Sequence, residues 1–260
     1  MFGAGGRLNG NTLNLLASRF FVSGIRVEVN DSSRPTQIRA QDLRDLQLAR
    51  RLPGRNRTKA DILVYRHAGG DVAVKDYSAR PWWIRHTLGR WLLRREAAAY
   101  AAADGVPGLP RFLGRVGRFA LATEWVDAQP LSTLTPDQVD TRCFDRVGGI
   151  LDSLHARGVA VADLHHRDVL LGRRGEVWLV DLAAAWVSSD GAGSLRRRIF
   201  ERLRDADAVA LARMRARFSG RDPEAAVASV GPAAAAWHRR GRRVKRIVNA
   251  LRGRNRLGQG

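Results

Sequence analysis

The stretch Val161-Ala162-Asp163-Leu164-His165-His166-Arg167-Asp168-Val169-Leu170-Leu171 runs through the turn Gly172 to Gly175 into Val177-Trp178-Leu179-Val180-Asp181-Leu182-Ala183, and its reading decides the fold. Two short apolar runs joined by a glycine-bounded turn predict a hairpin. Asp163 and Asp168 precede its first strand, and Asp181 closes its second. Carboxylates at the two ends of one hairpin face one cleft and can serve one ligand. Upstream, the segment from Asp137 to Arg157 places Val139, Phe144, Val147, Ile150, Leu151 and Leu154 on one face, the spacing of an amphipathic helix.

Working outward toward the N-terminus, Asp61 to His67 reads as a strand, Gly69-Gly70 as a hairpin turn and Asp71 to Tyr77 as the returning strand. That strand ends in Val72-Ala73-Val74-Lys75, where an ammonium on an apolar strand must find a partner or stay exposed. Trp82 to Ala103 is predicted as a long arginine-rich helix carrying Glu96, ended by Pro107, Gly108 and Pro110. Arg118 to Val126 reads as a further strand or strand pair, and Arg39 to Arg51 as a helix before Pro53-Gly54. From Ser194 onward the pattern is helical, with a break from Ser219 to Pro223. Strands dominate the first half and helices the second, so the expected class is α+β with two lobes.

The 260 residues suffice for one large domain or two lobes around a cleft. The formal net charge of +20 points to an anionic partner: nucleic acid, a phosphorylated metabolite or an acidic membrane surface. Almost all the basic residues are arginine, so the three lysines, Lys59, Lys75 and Lys245, stand out as positions where a lysine is needed. Cys143 is the single cysteine, which excludes an intrachain disulfide and a cysteine-based metal site. His155, His165 and His166 lack the spacing of a zinc site and are read as substrate-orienting or solvated. Met1 to Asn11 lacks the pattern of a signal peptide, and Leu13 to Ile25 is too short to span a bilayer. The expected location is cytoplasmic, with surface attachment to the inner face of the cytoplasmic membrane left open.

The pairing of Lys75 on a strand with Glu96 on the following helix, and the series Asp163, Asp168, Asp181, resemble the protein-kinase-like superfamily over roughly Asp61 to Phe218. The look is closest to the lipopolysaccharide-kinase group (heptose and Kdo kinases) and to RIO-like kinases. The resemblance implies a bilobal fold with a small β-rich N-lobe and a minimal helical C-lobe. The expected divisions are an extension (1–55), the N-lobe (56–126), the C-lobe (127–218) and a basic helical tail (219–260). It further implies that Lys75, paired with Glu96, holds the phosphates of ATP, and that backbone groups around Glu124 and Val126 hold the adenine. Asp163 becomes the catalytic carboxylate, and Asp168 and Asp181 the ligands of Mg²⁺. The acceptor implied is a hydroxyl, favoured as a lipopolysaccharide core sugar, free or lipid-linked. The alternatives are a RIO-like protein serine/threonine kinase and a catalytically inactive module that binds membrane or nucleic acid. The chain departs from the family pattern in three places: Asp168 replaces an asparagine, Ala183 replaces a glycine, and no glycine-rich loop precedes Lys75. The turn before the Asp61 strand offers Gly54 with Arg55, Arg57 and Lys59, cations able to bind phosphate in place of backbone amides.

Two basic stretches complete the reading. Arg80, Arg85, Arg90, Arg94 and Arg95 are interleaved with Trp82, Trp83 and Trp91, and the tail from Trp237 to Arg256 carries nine basic residues and no acid. Either suits an anionic membrane interface or, less favoured, nucleic-acid phosphates.

Overall fold

The computed structural model describes residues 37–188 and 193–231. The basic tail from residue 232 onward and the apolar stretch Leu13 to Ile25 lie outside the described residues. The architecture is α+β, with a β-rich N-terminal region followed by a mainly helical part.

Five antiparallel strands form the N-terminal sheet: β1 (Gln47–Leu52), β2 (Asp61–Arg66), β3 (Val72–Asp76), β4 (Phe112–Val116) and β5 (Ala120–Glu124). Their spatial order is β1-β2-β3-β5-β4, so β3, which carries Lys75, is the central strand. Ile62 pairs with Lys75 on one side and Leu121 on the other, which fixes the register of the lysine between two apolar neighbours. Val72, Val74, Leu113 and Ala122 fill one face of the sheet, and Ala60, Tyr77, Leu93 and Leu121 the other.

The segment Arg39 to Arg51 is not the helix its composition predicts. Only the 3₁₀ turn Asp42–Arg44 is helical, and Gln47–Leu52 forms β1 instead. The open edge of β2 supplies a hydrogen-bonding partner, and pairing along it overrides the helix preference of Gln, Leu, Ala and Arg. All six residues of β1 are exposed, and a bulge lies between Leu48 and Arg50, as suits a charged edge strand. The sheet thus begins before residue 56.

Between β3 and β4 the chain forms a single helical turn, α1 (Trp82–Ile84), a π-helical turn over Arg85–Gly89, and α2 (Arg90–Ala102). A long helix was expected here, and the π-turn is its one irregularity. Gly89 sits flush on Tyr77: a Cβ there would lie 2.9 Å from the ring.

The second part is built on α3 (Arg142–Ala156), whose Phe144, Val147, Ile150, Leu151 and Leu154 are all buried, as their spacing predicts. The short strands β6 (Gln129–Pro130), β7 (Val159–Ala160), β8 (Val169–Leu171), β9 (Val177–Leu179) and β10 (Trp186–Val187) lie around it. β8 and β9 are the expected hairpin, pairing Val169 with Leu179 and Leu171 with Val177. The helices α4 (Ser194–Phe218) and α5 (Pro223–Val230) follow, broken where the sequence predicts. One core cluster runs from Tyr100 on α2 through α3 to Leu179, Leu182 and Phe218. Gly108, at φ +87°, lets the linker after α2 lie against this core: its carbonyl accepts from Leu179 N–H at 2.8 Å, and a Cβ would meet Ile150 at 2.4 Å.

Candidate active site

A cleft of ≈ 1620 Å³ lies between the sheet and the helical part. Lys75, Glu96, Asp163, Asp168 and Asp181 all line it, as do Glu124 and Val126. These are all seven residues singled out in the sequence. The volume exceeds the ~300–1,000 Å³ of most small-molecule sites and leaves room for two ligands side by side.

Lys75 Nζ is the centre of the arrangement. It donates to both carboxylate oxygens of Glu96, at 2.8 and 3.0 Å, and to Asp181 Oδ1 at 2.8 Å. The Glu96 side chain is almost fully buried, whereas that of Asp181 is 41% exposed and opens to the cleft. Burial by itself lowers the Lys75 pKa, yet the two adjacent carboxylates outweigh it and hold the ammonium well above its ordinary value. Asp181 is displaced the opposite way. Burial raises it, but Lys75 and the Ala183 N–H, which donates to Oδ1 at 3.2 Å, bring it below the usual carboxylate range.

Asp168 contrasts with Asp181. Burial first, then repulsion from Asp181, pushes its carboxyl up to about 7, with Arg167 pulling the other way from 3.6 Å. Asp163 is 63% exposed, faces the cleft and lies 3.3 Å from His165 Nε2. Two closely placed carboxylates that repel each other suit a hard divalent cation. Mg²⁺ binds through one or two carboxylates and completes its shell with phosphate oxygens and water. Among the described residues no group of three or more His, Cys, Asp or Glu stands together as a metal site. Asp168 and Asp181 are the two carboxylates here that could hold such a cation.

At the seam between the two parts, the Glu124 N–H donates to Arg111 O at 2.9 Å and the Trp125 N–H to Asp71 O at 2.8 Å. The Val126 N–H donates to no acceptor among the described residues and borders the cleft. Opposite Lys75, the loop from Pro53 to Ala60 between β1 and β2 forms the roof. Gly54, Arg55 and Lys59 line the cleft there; Arg57, also considered from sequence, does not. The loop is tied down by the buried carboxylate of Asp61. This accepts from Gly54 N at 2.9 Å and Arg51 Nη2 at 2.8 Å, and it pairs with Arg80. A Cβ on Gly54 would meet the carbonyl oxygens of Lys59 and Ala60 at 2.4 and 2.6 Å, so the loop closes on itself only with glycine. Lys59 adds its positive field at both Asp181 and Glu96.

Two supports were not found from sequence. Asp207 on α4 is 1% exposed and accepts from Val161 N and Ala162 N at 2.8 Å and from His155 Nε2 at 2.9 Å. Ala162 has φ +68°, a left-handed conformation that costs an alanine energy, and it immediately precedes Asp163. The buried carboxylate holds the strained backbone and so aims Asp163. In sequence, Asp207 looks like one more charge on an arginine-rich helix. Arg95, next to Glu96, donates to Ala184 O at 2.8 Å and to Ala185 O at 2.9 Å. It ties the segment after Asp181 to α2. Asp181 also has φ +68°.

A scan against protein-family models gives no match, and a search of curated proteins gives none either.

Asp207→Ala leaves two buried N–H groups and a histidine without their acceptor. It is expected to cost about 2–4 kcal/mol in urea unfolding, with Asp207→Asn costing less. For Asp168 the folded carboxyl holds its proton more tightly than the unfolded one, whose ordinary value is 3.8. Its contribution to stability is complete below that value and is lost as pH rises through about 7. Asp168→Asn should therefore raise metal-free stability at pH 8 by about 1–3 kcal/mol, and the gain should vanish near pH 4. Thermal unfolding of both proteins across that range checks this.

Proposed function

We propose that the protein is an ATP-dependent phosphotransferase with a bilobal, protein-kinase-like arrangement, acting on a hydroxyl group of an anionic acceptor. The observation that carries the reading is Lys75 held between Glu96 and Asp181 at 2.8 Å from each, with Asp163 and Asp168 lining the same cleft. Few other chemistries need a strand lysine fixed by a helix carboxylate opposite a row of aspartates.

Mg·ATP supplies the γ-phosphoryl group and the charge that neutralises it. Lys75 binds phosphate oxygens, and Glu96 keeps its ammonium aimed into the cleft. Asp181 and Asp168 would hold the cation, whose charge would offset the burial and the mutual repulsion that push Asp168 up to about 7. The free Val126 N–H and the Glu124 carbonyl form the base-binding edge. Asp163, exposed and placed by Ala162, orients the acceptor hydroxyl and takes its proton as the phosphoryl group arrives. Lys59 and Arg55 cover the phosphates from the roof, the task that backbone amides of a glycine-rich loop otherwise perform.

The acceptor side of the cleft is lined by Arg142, Arg146, Arg167, Arg173 and Arg174, set against Asp140. That wall favours a substrate bearing phosphate or carboxylate groups and disfavours a polycationic one. A lipopolysaccharide core sugar meets this requirement.

Purified protein should bind and turn over Mg·ATP. Lys75→Ala should lower kcat/KM by about 10²–10³-fold. Asp163→Asn should lower kcat by about 10²–10⁴-fold with nucleotide affinity kept. Wild-type protein that neither binds nor hydrolyses Mg·ATP would end the enzyme reading. Lys59→Ala is expected to weaken nucleotide binding about tenfold while leaving the melting temperature in place, measured by calorimetric titration.

A further inference from the structure

The helical run from Trp82 to Ala102 has a sharply divided surface. Ile84, Gly89, Leu93, Glu96 and Tyr100 face inward and are buried. Trp83, Thr87, Trp91, Arg94 and Ala98 form an exposed row on the opposite side. An unbroken α-helix would turn residue 91 roughly 80° away from residue 83, at about 100° per residue. The wider π-turn over Arg85–Gly89 takes up that rotation and keeps the two indoles on one side.

Trp82, Trp83 and Trp91 are 67%, 61% and 54% exposed, which is unusual for the largest apolar side chain. All three lie on this short run. Trp82 stacks on His86, and the Arg95 guanidinium lies 5.1 Å from the Trp91 ring, so the indoles are braced in their exposed positions. The charge along this run has one sign. From Ala79 to Arg95 there are five arginines and no acid, and the first carboxylate after them, Glu96, is buried against Lys75. Arg80, Arg85 and Arg95 are engaged in the fold, Arg85 by donating to Ser78 O and lying over the Phe119 ring, but Arg90 and Arg94 have no carboxylate partner among the described residues. Trp91 and Arg95 also border the mouth of the cleft, so the surface is continuous with the entrance to the site.

We propose that this face docks on an anionic phospholipid bilayer, with Trp82, Trp83 and Trp91 entering the headgroup region and Arg90 and Arg94 meeting lipid phosphates. Indole rings favour the bilayer interface, being apolar bodies with one N–H to satisfy, and arginines beside them supply the attraction to negative lipid. A protein partner of comparable fit would need acidic groups matched to each arginine around three indole pockets, whereas a bilayer presents phosphate at every position. Docking by this face sets the cleft mouth beside the membrane surface, where a lipid-borne acceptor would be presented. The surface does not depend on phosphoryl transfer, and lipid binding reads it directly.

The test is co-sedimentation of the full chain with vesicles of phosphatidylcholine and phosphatidylglycerol, compared with phosphatidylcholine alone. Wild type is compared with Trp82→Ala/Trp83→Ala/Trp91→Ala and with Arg90→Glu/Arg94→Glu. Because the indoles are exposed, the triple variant should keep its far-UV circular dichroism and melting temperature. The expected result is binding to the anionic vesicles that weakens by roughly tenfold or more in both variants, with quenching of wild-type tryptophan emission by brominated lipid. Three results would overturn the proposal. They are no binding by wild type, undiminished binding by the triple variant (which would assign it to the basic tail), and loss of binding to single-stranded RNA with vesicle binding unchanged.

Discussion

Lys75 Nζ meets Glu96 and Asp181 at 2.8 Å each, and three parts of the chain meet at that nitrogen: the central strand β3, the helix α2, and the end of the β8–β9 hairpin. Taking the Lys75 and Glu96 charges out of water is expensive, and the buried Glu96 alone would be an uncompensated charge in a low dielectric, whereas Asp181 stays open to the cleft. The ammonium offsets that cost only while both stay within hydrogen-bonding distance. Removing one partner of such a pair typically costs about 3–5 kcal/mol. The cluster therefore constrains how the sheet and the helical part stand across the cleft, and Arg95 repeats the constraint by gripping the carbonyls of Ala184 and Ala185. Two carboxylates share one cation here and Asp168 lies close by, so the cleft keeps a surplus of negative charge at its floor.

The opposite wall is organised by a second buried carboxylate. Asp207 spends its oxygens on two backbone N–H groups and His155, and this stabilises a left-handed alanine that would otherwise relax. Holding backbone and facing the cleft are thus divided between residues. Asp207 and Asp61 are buried and hold backbone, whereas Asp163 and Asp181 keep oxygens open to the cleft. The distinction is one of burial and of what each carboxylate already accepts, since the side chain is the same.

The excess of arginine is spread over surfaces with different physical characters. On the cleft wall, Arg142, Arg146, Arg167, Arg173 and Arg174 line a concave site, where field lines focus and an anionic ligand would be favoured. On the outer side of α2, arginines flank exposed indoles on a convex helix, a shape that suits an extended interface. Both surfaces suit the proposed phosphotransferase, whose acceptor would be charged and held at a surface.

Much of this was legible from residue order. The β8–β9 hairpin, the apolar face of α3 and the lone strand lysine depend on local periodicity and on short-range turns, and these survive in the tertiary structure because packing agrees with them. All seven expected site residues line one cleft: Lys75, Glu124, Val126, Asp168 and Asp181 lie at or just beyond strand ends, Glu96 on the inner face of α2 and Asp163 in the loop between β7 and β8. Gln47–Leu52 went the other way, because a helix-favouring composition yielded to the hydrogen-bonding edge of β2, a partner that no local pattern announces. Asp207, Arg95 and the Asp61 anchor were equally silent, since their meaning lies in backbone groups distant in sequence. What the chain by itself determined was which residues could do chemistry. Only the fold decided which carboxylates are buried to hold backbone and which are left open to act, because burial and hydrogen-bond partners are properties of the packed molecule.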